Sequence, residues 1–425
     1  MPQNYSFSAT DRQRKMYISG ISGKRPEIPT DLNELEAAAQ SAMSPQAFAY
    51  IAGGAGIGKT IENNRSAFDQ WRIVPRMLRD VSHRDTSVEL FGRKLAVPVL
   101  LSPVGVLDMA HAEADIAVAK AASTLSIPMI FSNQASRSME SCAAVMGDGP
   151  RWFQLYWSKS NELVASLVHR AEASGCEAIV VTLDTTLLGW RIQDLDQGYL
   201  PFLRGKGIAQ YTSDPVFQRL LDEPETEEAP KPEQINLATI QTLIEQVSNY
   251  PGNFWQTFRS KRSMAAVRTF VSIYSRPSLT WENLAFLKEQ TSLPIVLKGI
   301  LHPDDARKAL DYGMDGIIVS NHGGRQVDGA IGTLDALPGI VEAVNSKIPV
   351  LMDSGVRGGA DVFKALALGA KAVCIGRPFV YGLALGGETG VSEVIRNLWA
   401  DFELTMGLSG CKNIDEINRN MLTPA

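Results

Sequence analysis

Eight short apolar runs punctuate this chain: VPVLLSPV (97–104), PMIFSNQ (128–134), RWFQLYW (151–157), EAIVVTLD (177–184), PIVLKG (294–299), DGIIVSNHG (315–323), PVLMDSG (349–355) and AVCIGRP (372–378). Their apolarity is continuous rather than alternating, which marks strands covered on both faces, as in a parallel sheet beneath helices. Each run closes on polar or glycine-bearing residues and leads into an Ala/Leu-rich helical pattern. The starts lie 31, 23, 26, 117, 21, 34 and 23 residues apart, and most of these gaps match one strand, one helix and two loops. Eight such units close a barrel. The expected fold is α/β, a (β/α)8 TIM barrel over 97–415, with a helical extension and barrel-closing segment before it (1–96) and a tail after it (416–425).

The 117-residue gap after the fourth run is far longer than a crossover needs, so an insertion is expected there, assigned to 204–276. It could roof the barrel mouth as a lid or merely decorate the surface. Within it, DEPETEEAPKPE (222–233) predicts a solvated, flexible loop, and INLATIQTLIEQV predicts an amphipathic helix. In the extension, Asp31 stands three residues before Glu34, the spacing of a capping box, and Pro45 separates two short helices expected to close one end of the barrel. In ADVFKALALGAKA, Val362, Phe363 and Leu366 share a helical face and Gly369 follows as a C-terminal cap.

Composition narrows the function. With 45% apolar and 20% charged residues, disorder, collagen and coiled-coil arrays are excluded as global readings. Forty-one basic against 46 acidic residues leave a formal charge of −5, with no global attraction for nucleic acid or anionic lipid, although a local basic site could hold a small anion. Cys142, Cys176, Cys374 and Cys411 lack metal or disulfide spacing, so no metal is expected. The first thirty residues lack an apolar signal core, no run approaches the roughly 18 apolar residues of a membrane span, and MLTPA is not a peroxisomal address, so the expected location is cytoplasmic.

In a parallel barrel the active site lies at the strands' C-terminal ends, so the polar residues that close the runs should converge: Ser132, Gln154, Tyr156, Thr182, Asp184, Lys298, His322, Arg325, Asp353, Arg357 and Arg377. His322, one of five histidines, emerges from a buried strand beside two glycines and is the general-base candidate, against a structural histidine. Arg325 offers a fork matching a carboxylate. Asp184 could fix the imidazole's tautomer across the mouth or cap a helix. DSGVRGGAD and IGRP end the seventh and eighth runs, where barrels of this kind hold phosphate. Two roles are open to Lys298: a fixed charge beside an electron-rich cofactor, or a Schiff-base amine. AGGAGIGKT (52–60) lacks the spacing of a phosphate-binding P-loop and is rejected as one.

The motifs SNHGGRQVDG, DSGVRGGADVFKALALGAKAVCIGRP, FQLY, VTLDT and LKG, in this order over residues 30 to 415, resemble the FMN-dependent α-hydroxy acid oxidase and dehydrogenase family, which includes glycolate oxidase, lactate oxidase and lactate 2-monooxygenase. The resemblance implies FMN as cofactor and a small 2-hydroxy acid and O2 as reactants. It implies His322 as catalytic base paired with Asp184, and Arg325, Arg191, Tyr50 and Tyr156, with His322, as substrate contacts. Pro103, Val104, Gly105, Ser132, Gln154, Thr182, Lys298 and Ser320 correspond to positions around the flavin ring, and Asp353, Ser354, Gly355, Arg357, Gly376 and Arg377 to the ribityl and phosphate cradle. It further implies a homotetramer.

SPVGVLDMAH departs from the PTA of glycolate oxidase-like members, and Gly105 is expected to give the cavity extra room. With LDTTLLGWR and the long insertion, it looks like the lactate 2-monooxygenase branch, in which acetate, CO2 and water replace the keto acid and peroxide of the oxidases. Gly56 and Gln134 stand where relatives carry acidic and aromatic residues and leave the substrate's size open. A Schiff-base aldolase or a silent FMN scaffold are the competing classes. Borohydride trapping of a substrate on Lys298 in colourless protein would favour the aldolase, and the full set of polar strand ends argues against the scaffold.

Overall fold

The computed structural model describes residues 8–223 and 235–425. All eight runs are strands: β1 Val99–Leu101, β2 Met129–Phe131, β3 Arg151–Leu155, β4 Ile179–Thr182, β5 Ile295–Ile300, β6 Gly316–Val319, β7 Val350–Met352 and β8 Ala372–Ile375. They pair in parallel, in chain order, and Val373 of β8 registers with Val99 of β1, closing the barrel. Odd and even positions of the strands split into two cores, because side chains alternate across a strand. One set, including Val99, Phe131, Phe153, Val181, Leu297 and Val319, packs outward under the helices. The other, Leu100, Ile130, Trp152, Val180, Val296, Ile318, Leu351 and Cys374, fills the axis.

The floor of that inner core is a hairpin, Val88–Leu90 with Arg93–Leu95, whose Val88, Leu90 and Leu95 join the inner cluster and whose Phe91 ring lies 5.5 Å from Trp152. Of the two helices expected on either side of Pro45 to close an end, Leu32–Ala42 packs on the final helix and Pro45–Ala52 meets the mouth through Tyr50 and Ile51. An earlier helix, α1 (Ala9–Ile21), runs along that final helix, Arg377–Leu408, through an Arg12–Glu393 ion pair of 2.9 Å, and α2 (Leu32–Ala42) lies beside it there. Only α3 (Pro45–Ala52) reaches the mouth. The capping box is corrected. Asp31 accepts the Asn33 N–H at 2.8 Å, two residues on, and no reciprocal bond from Glu34 forms.

The insertion is helical among its described residues, with the expected amphipathic helix at Leu237–Asn249. The acidic loop expected over 222–233 lies, beyond Glu223, outside the described residues. At the chain ends, Trp71–Ile73 pairs antiparallel with Leu422–Pro424. No described helix is long and apolar enough to cross a membrane. The four cysteines are buried and free.

Candidate active site

The pleat that fills the axis also furnishes the mouth. Two places beyond seven of the eight inward residues stands a polar one, Ser102 after Leu100, Ser132 after Ile130, Gln154 after Trp152, Thr182 after Val180, Lys298 after Val296, Ser320 after Ile318 and Asp353 after Leu351, while Gly376 follows Cys374. Above these ends lies a cavity open to solvent at its mouth, lined by residues from all sides of the barrel rim, the place where ligands bind in barrels of this kind. Of the expected residues, Tyr50, Tyr156, Arg191, His322 and Arg325 border it on one side, and Pro103, Val104, Gly105, Ser132, Lys298, Asp353, Ser354, Gly355, Arg357, Gly376 and Arg377 elsewhere.

Four expected residues do not border the cavity but stand behind its wall. Gln154 accepts the Ser132 hydroxyl at 3.2 Å and donates to Thr182 Oγ1 at 3.0 Å. Ser320 accepts from Lys298 Nζ at 2.7 Å. Asp184 Oδ1 takes His322 Nδ1 at 2.7 Å and the Thr185 hydroxyl at 3.0 Å. The helix-cap alternative for Asp184 is thereby displaced.

His322 occupies the left-handed region, φ +59, and Gly323 and Gly324 continue it at +66 and +77. A non-glycine residue is uncommon there, and three such residues in succession need external support. They have it: the amide of His322 donates to Ser320 Oγ at 3.1 Å, that of Gly323 to Ser354 Oγ at 2.9 Å and that of Gly324 to Asn321 Oδ1 at 3.1 Å. With Nδ1–H given to Asp184, the Nε2 lone pair faces the cavity, 3.4 Å from the Tyr156 hydroxyl. Burial pushes the imidazole below its ordinary value and outweighs the Asp184 charge, so it stands neutral. Burial opposes the Asp184 charge, but the Lys298 ammonium and the hydrogen bonds from His322 and Thr185 hold its carboxyl below the ordinary carboxylate range.

Lys298 is almost fully buried, 3.1 Å from Asp353 Oδ2 and 4.0 Å from Asp184 Oδ2. Burial alone would lower its pKa, but the two carboxylates raise it above the ordinary lysine value. A Schiff-base amine must be neutral, so the fixed-charge role is the one this setting supports.

Arg191, Arg325, Arg357 and Arg377 border the same cavity, and none has a carboxylate within 4.0 Å among the described residues. Their bonds go to neutral groups. Arg325 donates to the carbonyls of Tyr50 and Gly53 and lies over the Tyr50 ring, Arg377 ties Ile51 and Gly53 to Gly323, and Arg357 meets only the Val356 carbonyl. Four desolvated guanidiniums around one cavity are a standing deficit of negative charge. They fall in two pairs, Arg191 with Arg325 beside His322, and Arg357 with Arg377 beside Ser354, Gly355 and Gly376, where a phosphate fits. Pro103, Val104, Ser132 and Lys298 lie around the rest of the cavity and suit a flat heterocycle with a polar edge. FMN therefore fits the residues present.

One expectation about this wall is overturned. A Cβ on Gly105 would lie 2.8 Å from the Gln134 carbonyl oxygen, so the missing methyl is filled by backbone, with Val106 N–H bonded to that carbonyl at 2.9 Å, and gives the cavity no extra room. Gly56 faces Asp328, away from the cavity, whereas Gln134 borders it. Sequence reasoning missed Thr185, Gln326 and the roof formed by Leu188, Phe202 and Tyr274. Tyr274 comes from the insertion and Phe202 from the segment just before it, where no local pattern marks a residue that meets the mouth.

An imidazole held by a buried carboxylate, in one cavity with four guanidiniums that have no carboxylate within 4.0 Å among the described residues, suits a cofactor-dependent oxidoreductase. A profile of the family described as FMN-dependent dehydrogenase matches residues 39–424. The chain is 44% identical to the FMN-dependent alpha-hydroxy acid dehydrogenase qulF of Penicillium citrinum, over 96% of this chain and 94% of that protein. It is 42% identical to the L-lactate oxidase of Lysinibacillus sphaericus (strain C3-41), over 94% of each. Among solved structures, mandelate oxidase superposes with a TM-score of 0.74 at 34% identity, covering 93% of this chain and 98% of that one. The chain belongs to the FMN-dependent dehydrogenase family and is an FMN-dependent alpha-hydroxy acid oxidoreductase.

Proposed function

We propose that the protein oxidises a small L-2-hydroxy acid, L-lactate among them, and is a lactate 2-monooxygenase. In this reading Arg325 and Arg191 clamp the substrate carboxylate and Tyr50 and Tyr156 flank it. His322 Nε2 takes the proton released on oxidation, and the imidazolium so formed is stabilised by Asp184. Bound FMN supplies a two-electron acceptor that dioxygen reoxidises. Lys298 places a fixed positive charge where the cofactor's ring would gain electron density. Arg357 and Arg377 would hold the phosphate, with Asp353, Ser354, Gly355 and Gly376 near it, and Pro103, Val104, Gly105 and Ser132 would line the part of the cavity left for the ring. Gln154, Thr182 and Ser320 orient that wall from behind. The observation that carries the reading is the imidazole paired with a buried carboxylate, beside two guanidiniums that have no carboxylate within 4.0 Å among the described residues.

The roof supports the monooxygenase outcome. Phe202 and Tyr274 line the cavity, and Lys206, four residues beyond Phe202, is bonded to Asp108 at 2.5 Å on the loop after β1. A keto acid kept under that roof meets the peroxide formed when O2 is reduced, and the balance is L-lactate + O2 to acetate + CO2 + H2O. The 42% identity to an L-lactate oxidase favours a second reading, in which pyruvate and hydrogen peroxide are released. The same proposal extends to a cytoplasmic homotetramer, tested by fractionation and sedimentation. The deciding experiment is product analysis with L-lactate and FMN-loaded protein: acetate and CO2 support the monooxygenase, stoichiometric pyruvate and peroxide replace it with the oxidase, and no flavin reduction by any 2-hydroxy acid refutes both.

A further inference from the structure

We infer that Gln326 is a positioning residue that aims Arg191 at the substrate carboxylate and pins the loop carrying Asp184. The inference rests on the carboxylate role proposed for Arg191. Gln326 follows Arg325 on the loop after β6, whereas Asp184 and Arg191 belong to the loop after β4. Its side chain joins the two with three bonds. Oε1 accepts from Arg191 Nη2 at 3.0 Å, and Nε2 donates to the carbonyl oxygens of Asp184 and Leu187, each at 2.8 Å. The second hold on Arg191 is longer, Nε to the Arg325 carbonyl at 3.3 Å.

The chemistry of the position explains why an amide stands there. It must accept from a guanidinium and donate to two carbonyls at once, which a carboxylate cannot do because it has no proton to give. A carboxylate would also neutralise Arg191, which is 6% exposed, and would compete with the anionic substrate. An amide orients the cation and leaves its charge free. The loops are built to meet here: a Cβ on Gly189 would lie 2.4 Å from the Arg325 carbonyl oxygen and 2.8 Å from Gln326 Cα, so the chain between Asp184 and Arg191 lies directly on residues 325 and 326. One side chain therefore couples the partner of the base to the clamp for the acid.

The test uses FMN-loaded full-length protein carrying Gln326→Met, Gln326→Glu, Arg191→Met, or Gln326→Met with Arg191→Met. Pyruvate and uncharged lactamide are titrated against the visible flavin spectrum, and anaerobic reduction by L-lactate is followed over a range of concentrations. We expect each Gln326 variant to weaken pyruvate binding and raise the half-saturating lactate concentration about tenfold or more, while lactamide binding changes by less than about threefold. In the Arg191→Met background the Gln326→Met change should add almost nothing to the loss of pyruvate binding. Additive losses, or equal losses for pyruvate and lactamide, would assign Gln326 a merely structural role and overturn the inference. Unchanged pyruvate binding in both Gln326 single variants also overturns it, while wild-type protein that binds no 2-keto acid overturns the carboxylate role of Arg191 along with it.

Discussion

His322 Nδ1 lies 2.7 Å from Asp184 Oδ1, and the two residues come from loops 138 positions apart in the chain. The pair commits the imidazole to one tautomer, with its free lone pair toward the cavity and its proton toward a carboxylate. Asp184→Asn keeps the shape but turns a donor or a weaker acceptor toward Nδ1. Anaerobic stopped-flow reduction by L-lactate should slow by about 10³-fold or more with FMN still bound, on the scale of other acid–base dyads. A loss of less than tenfold would remove Asp184 from the catalytic assignment.

The pH profile follows from the same burial. His322 must be neutral to take a proton, and its pKa is pushed below the ordinary value by desolvation. The reduction rate should therefore stay flat as pH falls from 8 through the usual histidine range near 6.5 and decline only below it. Asp184, held at about 2, contributes no limb in that window. An acid limb centred above 6.5 would contradict this sign.

Arg357 donates to a single backbone carbonyl and meets no carboxylate among the described residues. If it holds the phosphate, Arg357→Ala removes a charge-assisted contact of about 1.5–3 kcal/mol, so FMN affinity measured by fluorescence quenching should drop by about 10–100-fold. Riboflavin, which has no phosphate, should bind wild type and variant alike. Equal losses for both flavins would move the phosphate elsewhere.

Gly105 approaches the Gln134 backbone too closely for any side chain. Gly105→Ala should destabilise the protein by about 1–3 kcal/mol, as overpacking does, read as a lower denaturant midpoint with an unchanged slope. A neutral effect would mean that the Gln134 loop yields, and would restore the idea that this position tunes cavity space.

Much of the site was legible because burial and chemistry coincide along each strand. A strand covered on both faces must be apolar throughout, so polar groups that appear at its end have a reason to be there, and Ser132, Lys298, His322 and Asp353 were found that way. The hairpin that floors the barrel was not legible: Val88–Leu90 and Arg93–Leu95 are three residues each, too short to show a period. Nor were Phe202 and Tyr274, whose aromatic character fits any core and whose place over the cavity depends on how the insertion docks.

The residue order thus dictates eight strands, their sequence around the barrel and the chemical kind of each rim residue, because hydrophobic burial and strand periodicity act over a few neighbouring positions. It does not dictate which rim residues meet the cavity and which brace those that do. Gln154, Thr182 and Ser320 read from the chain just as Ser132 and Lys298 do, yet they stand behind the wall. Gln326 reads as one polar residue among many, yet it joins the loops that follow β4 and β6. Those distinctions arise from distances between segments that lie from 22 to 142 positions apart in the chain, and only closure of the barrel sets them.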